Sequence, residues 1–527
     1  MKKIFWPVLL VILALAGGIF AYRNVNAPAG NHADNSTNSP IAETTSTKPQ
    51  TMVDLNDGDA YTFTLKAVPQ TIAGHEVTAL TYNGIVPGPT IRVKQGSTIQ
   101  LTLKNDLDRA TTLHPHGVRV ENAFDGTPDV TQKAIQPGES FTYALKFPDA
   151  GVFWYHPHLD EVVQQNLGLY GNFLVVPTST SYWSSANREE TLVLQDMLFN
   201  GNKVAPFSDG HSSYYGLMGR YGSVLLINGK TDYRLETKKG EVVRLFITNA
   251  ANARPFRFAI PGTKMKLVGG DNGKYEHETL VDYIVLAPSE REIVEVLFDT
   301  PGEFNILNDT PVRSSAMGSV HVSSDAIDVS YALAFNTLRT NQDVISSIDP
   351  LRSLFAKQPD KVLDLGFAMM GNQMGGGMSG GMMQGGMMGS THTTADGIEW
   401  EDQMSGMNAQ MTTKTANWTI TDKETGKINH DINWSFKQGD YVKIRINNPS
   451  TGMHPMQHPF HVHGQRFLVL SEDGKVNTNM VWKDTVLIPA GKTVDLLVEM
   501  SNPGRWMMHC HISEHLESGM MLNYEVK

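Results

Sequence analysis

The sequence predicts an all-β protein made of three Greek-key β-sandwich domains. From about Met52 the chain consists of short runs of alternating polar and apolar residues separated by Gly, Pro and Asn, as in Val294–Phe298. Such runs are typical of strands in sandwiches, and long amphipathic helical patterns are absent from the sequence. A pair of sequence elements that occurs three times in the same order predicts the number of domains.

The first repeated element is a charged turn ending in glycine, followed by an alternating strand. It occurs as Lys94-Gln95-Gly96, Lys238-Lys239-Gly240 and Lys437-Gln438-Gly439. The second element occurs as Pro137-Gly138-Glu139, Pro288-Ser289-Glu290 and Pro489-Ala490-Gly491. Because both elements recur in a fixed order, chance recurrence of a common turn is a poor explanation. We predict one sandwich in each of residues 52–180, 181–332 and 345–527.

The N-terminal residues differ from the rest of the chain. Lys2 and Lys3 precede an apolar run, so residues 1–23 are predicted to be a signal peptide or an N-terminal membrane anchor. Residues 24–51 are rich in Asn, Ala, Thr, Ser and Pro, which predicts a flexible linker. Because the positive residues stay in the cytoplasm, we expect the body to be exported to the periplasm or cell envelope. Both cleavage and retention of the segment are compatible with the sequence.

The composition favours a copper protein. A net charge of −11 argues against a nucleic-acid partner. The single Cys excludes an intramolecular disulfide, whereas 18 His and 25 Met supply many nitrogen and thioether ligands. Those ligands suit copper rather than calcium or magnesium, which bind oxygen.

Methionine is concentrated in one stretch of the predicted third domain. Eleven Met lie between Met369 and Met411, mixed with Gly, Gln, Ser and Asn. The first part of this insertion, Met369–Gly389, has almost no residues that could build a core, so we expect it to be exposed.

Ten of the His and the only Cys form four clusters. These are His114-Pro-His116, His156-Pro-His158, His458-Pro-Phe-His461-Val-His463, and His509-Cys510-His511 followed by His515 and Met520. In an extended strand the side chains at positions i and i+2 share one face, and i+1 occupies the other. Cys510 is therefore predicted to face away from both of its histidine neighbours.

This alternation separates the ligands into two sets. Cys510 can join His458, His515 and Met520, and two imidazoles, a thiolate and a weak thioether are the ligands of a blue-copper electron-transfer site. Eight histidines remain, enough to bind three further coppers: His114, His116, His156, His158, His461, His463, His509 and His511. Half lie near residue 130 and half near residue 490, so the cluster is predicted between the first and third domains. Structural zinc, which takes four ligands, would leave most of them without a role.

The four clusters resemble, in order and spacing, the signatures of the multicopper oxidases, and the resemblance extends from about residue 52 to the end. It implies cupredoxin-like domains and four copper ions, one of type 1, one of type 2 and two of type 3. By motif position His458, Cys510, His515 and axial Met520 resemble the type 1 ligands, and His114 and His461 the type 2 pair. The type 3 ligands would be His116, His156, His158, His463, His509 and His511.

The resemblance also implies the reaction: one-electron oxidations of a substrate at the type 1 copper, and reduction of O2 to water at the other three. That reduction consumes protons, and Asp125 stands where similar bacterial proteins carry an acidic residue. The competing interpretation of Asp125 is a turn residue before Gly126. Many bacterial relatives have Glu directly after the histidine corresponding to His515, but here Leu516 occupies that position. A second proton-relay carboxylate is therefore not identified.

Two hypotheses concern the substrate. The methionine-rich insertion resembles that of periplasmic copper-efflux oxidases, and soft thioethers select Cu(I). The candidate ligands of a substrate Cu(I) are His454, Met456, Met369, Met370 and Met374. Alternatively the protein is a laccase that oxidises phenols and aromatic amines, with the insertion shielding the pocket.

Two further classes of copper protein fit the sequence less well. A non-catalytic copper-sequestering protein would be expected to show gaps in the clusters, and none is missing. A two-domain nitrite reductase would not need the type 3 histidines.

Overall fold

The computed structural model of the protein describes residues 51–369, 394–451 and 454–527. Their strands form three β-sandwiches, which confirms the predicted fold class. The predicted signal or anchor segment, all but the last residue of the predicted linker, and Met370 and Met374 lie outside the described residues. Within the described ranges no helix combines the length and apolar character needed to cross a bilayer.

The first sandwich pairs a five-stranded sheet, in the order β1-β4-β9-β8-β6, with a four-stranded sheet, β3-β2-β5-β7. Its elements are β1 (Met52–Leu55), β2 (Ala60–Ile72), β3 (His75–Tyr82), β4 (Thr90–Lys94), β5 (Thr98–Asn105), β6 (His114–His116), β7 (Ser140–Lys146), β8 (Gly151–His156), α1 (Glu161–Gln164) and β9 (Gly171–Val176). The alternation predicted for β5 is observed, because Ile99, Leu101 and Leu103 are buried between the two sheets.

The second sandwich pairs the sheets β13-β10-β15-β20-β17-β18 and β14-β22-β21-β16-β19. Its strands are β10 (Arg188–Met197), β11 (Phe199–Asn200), β12 (Lys203–Val204), β13 (Val224–Ile227), β14 (Tyr233–Lys239), β15 (Glu241–Asn249), β16 (Phe256–Ala259), β17 (Lys264–Gly270), β18 (Gly273–Val281), β19 (Ile284–Leu286), β20 (Arg291–Phe298), β21 (Gly302–Asp309) and β22 (Ser314–Ala326). Short helices follow it: α2 (Ala332–Asn336), α3 (Gln342–Ile348) and α4 (Arg352–Phe355).

The third sandwich pairs the sheets β24-β23-β26-β32-β28-β29, with β30 beside β28, and β25-β34-β33-β27-β31. Its elements are β23 (Lys361–Met369), α5 (Ser405–Asn408), β24 (Ala416–Asp422), β25 (Asn433–Phe436), β26 (Tyr441–Asn447), β27 (His458–Val462), β28 (Arg466–Glu472), β29 (Lys475–Val476), β30 (Trp482–Lys483), β31 (Thr485–Ile488), β32 (Thr493–Glu499), β33 (Gly504–Cys510), α6 (Ser513–Glu517) and β34 (Met521–Val526).

The repeated sequence elements occupy equivalent places in the three sandwiches. Gly96, Gly240 and Gly439 have φ angles of 91°, 83° and 91°, a region that favours glycine, and each lies in the turn that carries the chain from one sheet to the other. The strand after this turn pairs antiparallel with the strand that follows the second repeated element, as β5–β7, β15–β20 and β26–β32. Each repeat therefore encodes the same arrangement: a turn that carries the chain to the other sheet, and an antiparallel strand pair in that sheet.

The histidine clusters lie on strands at one edge of the first sandwich and inside one sheet of the third. The short β6 pairs with β8, and β27 pairs with β33. The core of the third sandwich extends up to this region, because Met456, Cys510 and Met520 belong to its buried cluster. The fold thus places metal-binding residue types at the end of a tightly packed core.

Candidate metal centre

Cross-strand pairing brings the clusters together within each sandwich. In the first sandwich His114 lies opposite His156. In the third, His461 lies opposite His509, and Phe460 lies opposite Cys510. Directly opposed residues have Cβ atoms about 5 Å apart, so the two His–His pairings each set two imidazoles side by side.

The two sandwiches then place their imidazoles against each other. The rings of His116 and His461 stack with centroids 3.7 Å apart. His114 lies 4.3 Å from His463, and the centroid of His156 is 5.2 Å from that of His511. All eight predicted cluster histidines are buried: His114, His116, His156, His158, His461, His463, His509 and His511. The structure brings together the two halves that the sequence separates by more than 300 residues.

Hydrogen bonds hold one nitrogen of several rings and leave the other directed at the cluster. Nδ1 of His114 lies 2.6 Å from the carbonyl oxygen of Asp125, and Nδ1 of His509 lies 2.9 Å from that of Cys510. Among the described residues, Nε2 of His114, His158 and His461 has no hydrogen-bond partner. A buried polar group without a partner costs about 1–3 kcal/mol. Several such nitrogens converging on one space fit a metal site.

The convergent nitrogens fall into groups suited to more than one ion. One group contains His158, His463 and His509, a second contains His114, His116 and His156, and a third contains His114, His461 and His463. Within each group the ligand atoms lie within 4.8 Å of one another. Imidazole nitrogen is a good ligand for copper.

The protonation of these rings also fits metal binding. Burial, followed by neighbouring imidazoles, lowers the pKa of His156, His461 and His509 well below the ordinary value. Burial lowers the pKa of His511 to about 3. The rings are therefore neutral near pH 7, which is the form that binds metal.

A separate group of ligands lies on the other face of β33. Sγ of Cys510 is 3.5 Å from Nδ1 of His458 and 3.7 Å from Nδ1 of His515. The N–H of Cys510 donates to the carbonyl oxygen of Met520, whose side chain is buried in the same core. Burial raises the pKa of the Cys510 thiol, so a metal that binds there must displace a proton.

Trp418, on β24, covers this second group and was not identified from the sequence. Its ring stacks on His515 with centroids 4.1 Å apart and meets His458 edge-on at 4.9 Å. It also lies 6.1 Å from His454. In the sequence Trp418 is only one residue of an alternating strand. That pattern predicts that its side chain is buried, but not that it contacts His515 and His458.

The candidate substrate residues lie on the same side. His454 and Met456 are buried, and the imidazole of His454 lies close enough to His458 to lower its pKa, after burial, to about 3. Met369 ends β23, where it pairs with Ala416 two residues before Trp418. Nothing is described of the Met369 side chain.

Asp125 lies between the two halves of the histidine cluster. It is 1% exposed, and its Oδ2 is 3.0 Å from Nδ1 of His463 and accepts a hydrogen bond of 2.7 Å from Thr127. Burial opposes ionisation of this carboxyl, but His463 and His114 outweigh burial and lower the pKa of Asp125 well below the ordinary value. The Asp125 carboxylate therefore contacts one ring from each half of the cluster.

Glu161, on α1, is a carboxylate that the sequence analysis missed. Its Oε1 lies 3.2 Å from Nδ1 of His158, and burial, together with Glu517, raises its pKa to about 8. Glu161 and His158 line a cavity of about 440 Å³ that also contacts Leu516. Glu161 of the first sandwich thus brings a carboxyl group to the region beside Leu516, the position at which the sequence lacks an acidic residue. Its position three residues after His158 was the available sequence signal.

Two other buried carboxylates were missed. Asp484 lies 3.1 Å from Nε2 of His116, and Glu399 lies near the second group, where its backbone N–H donates to Gln457 beside His458. Burial, followed by Asp402, raises the pKa of Glu399 to about 8. Neither residue stands beside a histidine cluster in the sequence.

Sequence profiles of the multicopper oxidase family match residues 64–180, 154–326 and 399–527. The chain belongs to the multicopper oxidase family. It is therefore a copper-binding oxidoreductase that uses O2 as electron acceptor. The ligand residues described above fit the metal of this family, since they supply imidazole nitrogens and one thiolate in a buried site.

Similar proteins come from several organisms. One from Staphylococcus aureus, multicopper oxidase mco, is 25% identical, covering 90% of this chain and 91% of the relative. Copper resistance protein A of Escherichia coli is 24% identical, covering 89% and 93%. A laccase of Arthroderma benhamiae is 27% identical, covering 84% and 73%.

The fold is shared with solved multicopper oxidase structures. One from Campylobacter jejuni, described as a metallo-oxidase, has a TM-score of 0.66 and 23% identity. The match covers 91% of this chain and 96% of that chain.

Replacing Glu161 with Gln should stabilise the metal-free protein selectively at high pH. Because the folded pKa of about 8 lies above the ordinary value of 4.5, ionisation of Glu161 costs stability as pH rises between these values. We expect the thermal midpoint of Glu161→Gln to exceed that of wild type by ~2 °C or more at pH 9 and to match it near pH 4. The exposed Glu121→Gln is the control; equal midpoints at pH 9 would contradict the analysis.

Proposed function

We propose that the protein couples four one-electron substrate oxidations at a type 1 copper to reduction of O2 to water at a type 2 and type 3 three-copper cluster. One observation carries this proposal. The Cys510 side chain belongs to one ligand group, while its neighbours His509 and His511 face the other. Covalent bonds of three consecutive residues therefore join the place of oxidation to the place of O2 reduction.

The assignment of ligands follows the two groups. His458, Cys510, His515 and Met520 would hold the type 1 copper. His114 and His461, whose Nε2 atoms have no hydrogen-bond partner among the described residues, would hold the type 2 copper. The type 3 ligands would be His116, His156, His158, His463, His509 and His511. The convergence of His158, His463 and His509 supports the last assignment for one of the two type 3 ions.

Asp125 is proposed to relay protons for water formation. Its carboxylate contacts Nδ1 of His114 and Nδ1 of His463, one ring from each half of the cluster. Thr127 orients that carboxylate by donating to Oδ2. A carboxylate held at the junction of the ligands can pass protons to the reacting oxygen through one water.

Cu(I) is the proposed physiological substrate. The described chain reaches Met369 at the end of β23, beside the strand that carries Trp418, and continues from residue 394 to Glu399, whose backbone N–H donates to Gln457 next to His458. The described residues on both sides of the methionine-rich segment therefore lie near the proposed type 1 site. Met404 and Met411 also pack against this core. His454, Met456 and methionines of the insertion, including Met369, Met370 and Met374, would hold the ion before it gives up its electron.

A broad-specificity laccase is the second candidate, favoured by the relative named laccase. Copper sequestration without turnover is less well supported, because the catalytic ligand set is complete.

Export to the periplasm or cell envelope is proposed from Lys2, Lys3 and the apolar run after them. Residues 1–23 would either be cleaved off or attach the protein to the membrane.

Replacing Cys510 with Ser should abolish the blue colour and turnover while leaving the three-copper cluster. The thiolate is the only sulfur anion the sequence offers for an intense charge-transfer band. Copper analysis should show one ion fewer per chain, and oxygen uptake with either substrate should stop. Met508→Leu, on the same buried strand, is the control. Oxygen uptake at the wild-type rate in Cys510→Ser would refute the proposal.

Replacing Asp125 with Asn should slow turnover by about 10²-fold without loss of copper, because the amide keeps the shape but cannot exchange protons as a carboxylate does. Steady-state oxygen uptake measures the effect. Asp129→Asn alters an exposed position four residues away and should leave the rate unchanged. An Asp125→Asn enzyme that reduces O2 normally would remove Asp125 from the reaction.

Deleting residues 370–389 should separate the two candidate substrates. If the methionines recruit Cu(I), cuprous oxidation falls at least about tenfold, while oxidation of a simple phenol holds or rises. A variant of unchanged length, with the methionines of this segment replaced by Leu, separates thioether chemistry from shielding. Cuprous activity that survives in both variants would favour the laccase function.

A further inference from the structure

We propose that Arg291, in the middle sandwich, is a positioning residue of the three-copper cluster. The middle sandwich supplies none of the proposed copper ligands, and nothing in the motif analysis assigned it a role at the site. The inference rests on the proposed function, since it concerns how two of the cluster histidines are held. It is carried by a buried ion pair between Arg291 and Asp484.

Asp484 contacts both halves of the cluster. It is fully buried, and its Oδ1 lies 3.1 Å from Nε2 of His116 in the first sandwich. Its backbone carbonyl oxygen accepts a hydrogen bond of 2.8 Å from Nδ1 of His461 in the third. The neighbouring Thr485 hydroxyl is 3.1 Å from each of these two nitrogens. Movement of residues 484–485 would therefore move a ring on each side of the junction.

Arg291 fixes the Asp484 carboxylate with two parallel hydrogen bonds. Nη1 lies 2.7 Å from Oδ1 and Nη2 lies 2.5 Å from Oδ2. Nε donates to the carbonyl oxygen of Val152 at 3.1 Å, and Nη1 also donates to that of Ser289. Bidentate pairing of this kind sets orientation as well as charge. One guanidinium thus ties together the first, second and third sandwiches.

The turn between β17 and β18 completes the support. Oδ1 of Asp271 accepts the backbone N–H of Arg291 at 2.8 Å, and Asn272 donates to Oδ2 of Asp484 at 2.8 Å. Oδ2 of Asp271 lies 3.3 Å from the backbone nitrogens of Asp484 and Thr485. Both oxygens of the Asp484 carboxylate are therefore held by groups from the middle sandwich.

The glycine after His116 shows that the Arg291–Asp484 ion pair lies very close to the backbone at residue 117. Gly117 has a φ of 79°, and a Cβ there would overlap Oδ2 of Asp484 and lie 2.7 Å from Nη2 of Arg291. A side chain at residue 117 would push the ion pair away from His116. This explains why the motif His114-Pro-His116 ends in glycine, for a reason that involves a different domain.

The consequence for the cluster is the choice of ligand atom on His116. With Nε2–H donating to Asp484, the free nitrogen is Nδ1, which lies 3.5 Å from Nε2 of His156. Without Arg291 the carboxylate would be an uncompensated buried charge and could rotate away. The ring of His116 would then lose the hydrogen bond that sets its tautomer. Hydrogen bonds of this type, made by the ring nitrogen that does not bind the metal, strongly affect metal affinity.

Copper-loaded Arg291→Met and Arg291→Lys test the inference; Lys keeps the charge but cannot form two parallel bonds. The readouts are copper per chain, the type 2 and type 3 spectroscopic signatures, and the blue type 1 band as internal reference. We expect both variants to keep the blue band, with Arg291→Met losing the copper of the cluster at least tenfold more readily to a chelator and Arg291→Lys showing a smaller loss.

Arg244→Met is the matched control. Arg244 is another buried arginine of the middle sandwich, paired with Glu295 at 2.7 Å, and it contacts none of the histidines described here. It should lose stability without selective loss of the cluster signatures. The inference is overturned if both Arg291 variants show wild-type signatures, or if blue band and cluster fall together as in Arg244→Met. Absence of cluster signatures in the wild type would instead refute the proposed function.

Discussion

The candidate metal centre depends on buried imidazole nitrogens that converge without protein partners. A nitrogen of this kind forfeits its hydrogen bond to water, and in the described part of the chain several such nitrogens meet at the junction of the first and third sandwiches. Burial lowers the pKa of His158 and His461 well below the ordinary value and keeps these rings neutral, so their free nitrogens can bind a cation. The two sandwiches must therefore dock closely for the site to exist.

The three repeated sandwiches contribute different residues to that docking. All three sandwiches use the same crossing strand pair, yet the four histidine clusters lie only in the first and third. The middle one contributes Arg291 and Asp271, which reach the junction as an ionic support. Repetition provides three similar frames, and the residues at their edges differ according to which neighbour they face.

The two ligand groups differ in a way that suits their proposed tasks. The group around Cys510 lies in an apolar core, under Trp418 and beside Met456 and Met520. The eight-histidine group has direct contacts with carboxyl groups, because Asp125, Glu161 and Asp484 each lie within 3.2 Å of a ring nitrogen. Electron transfer needs no protons, whereas water formation consumes them.

The histidine spacing predicted the two groups of side chains that the structure brings together. Alternation along a strand is local, so His509, Cys510 and His511 could be sorted onto two faces from the sequence, and the repeats gave three sandwiches. Asp125 was predicted from the resemblance, because similar bacterial proteins carry an acidic residue at that position. Glu161 lies only three residues after His158, but the contact between its carboxyl group and that ring is visible only in the structure.

The sequence by itself determined the types of ligand, their grouping and the number of sandwiches, since each depends on spacing within a few residues. Only the tertiary structure decided which ring nitrogen faces the cluster and what holds it there. Asp484 reaches His116 across 368 residues, and Arg291 reaches Asp484 across 193. Contacts of that kind depend on how separate strands pack, and no local pattern in the chain encodes them.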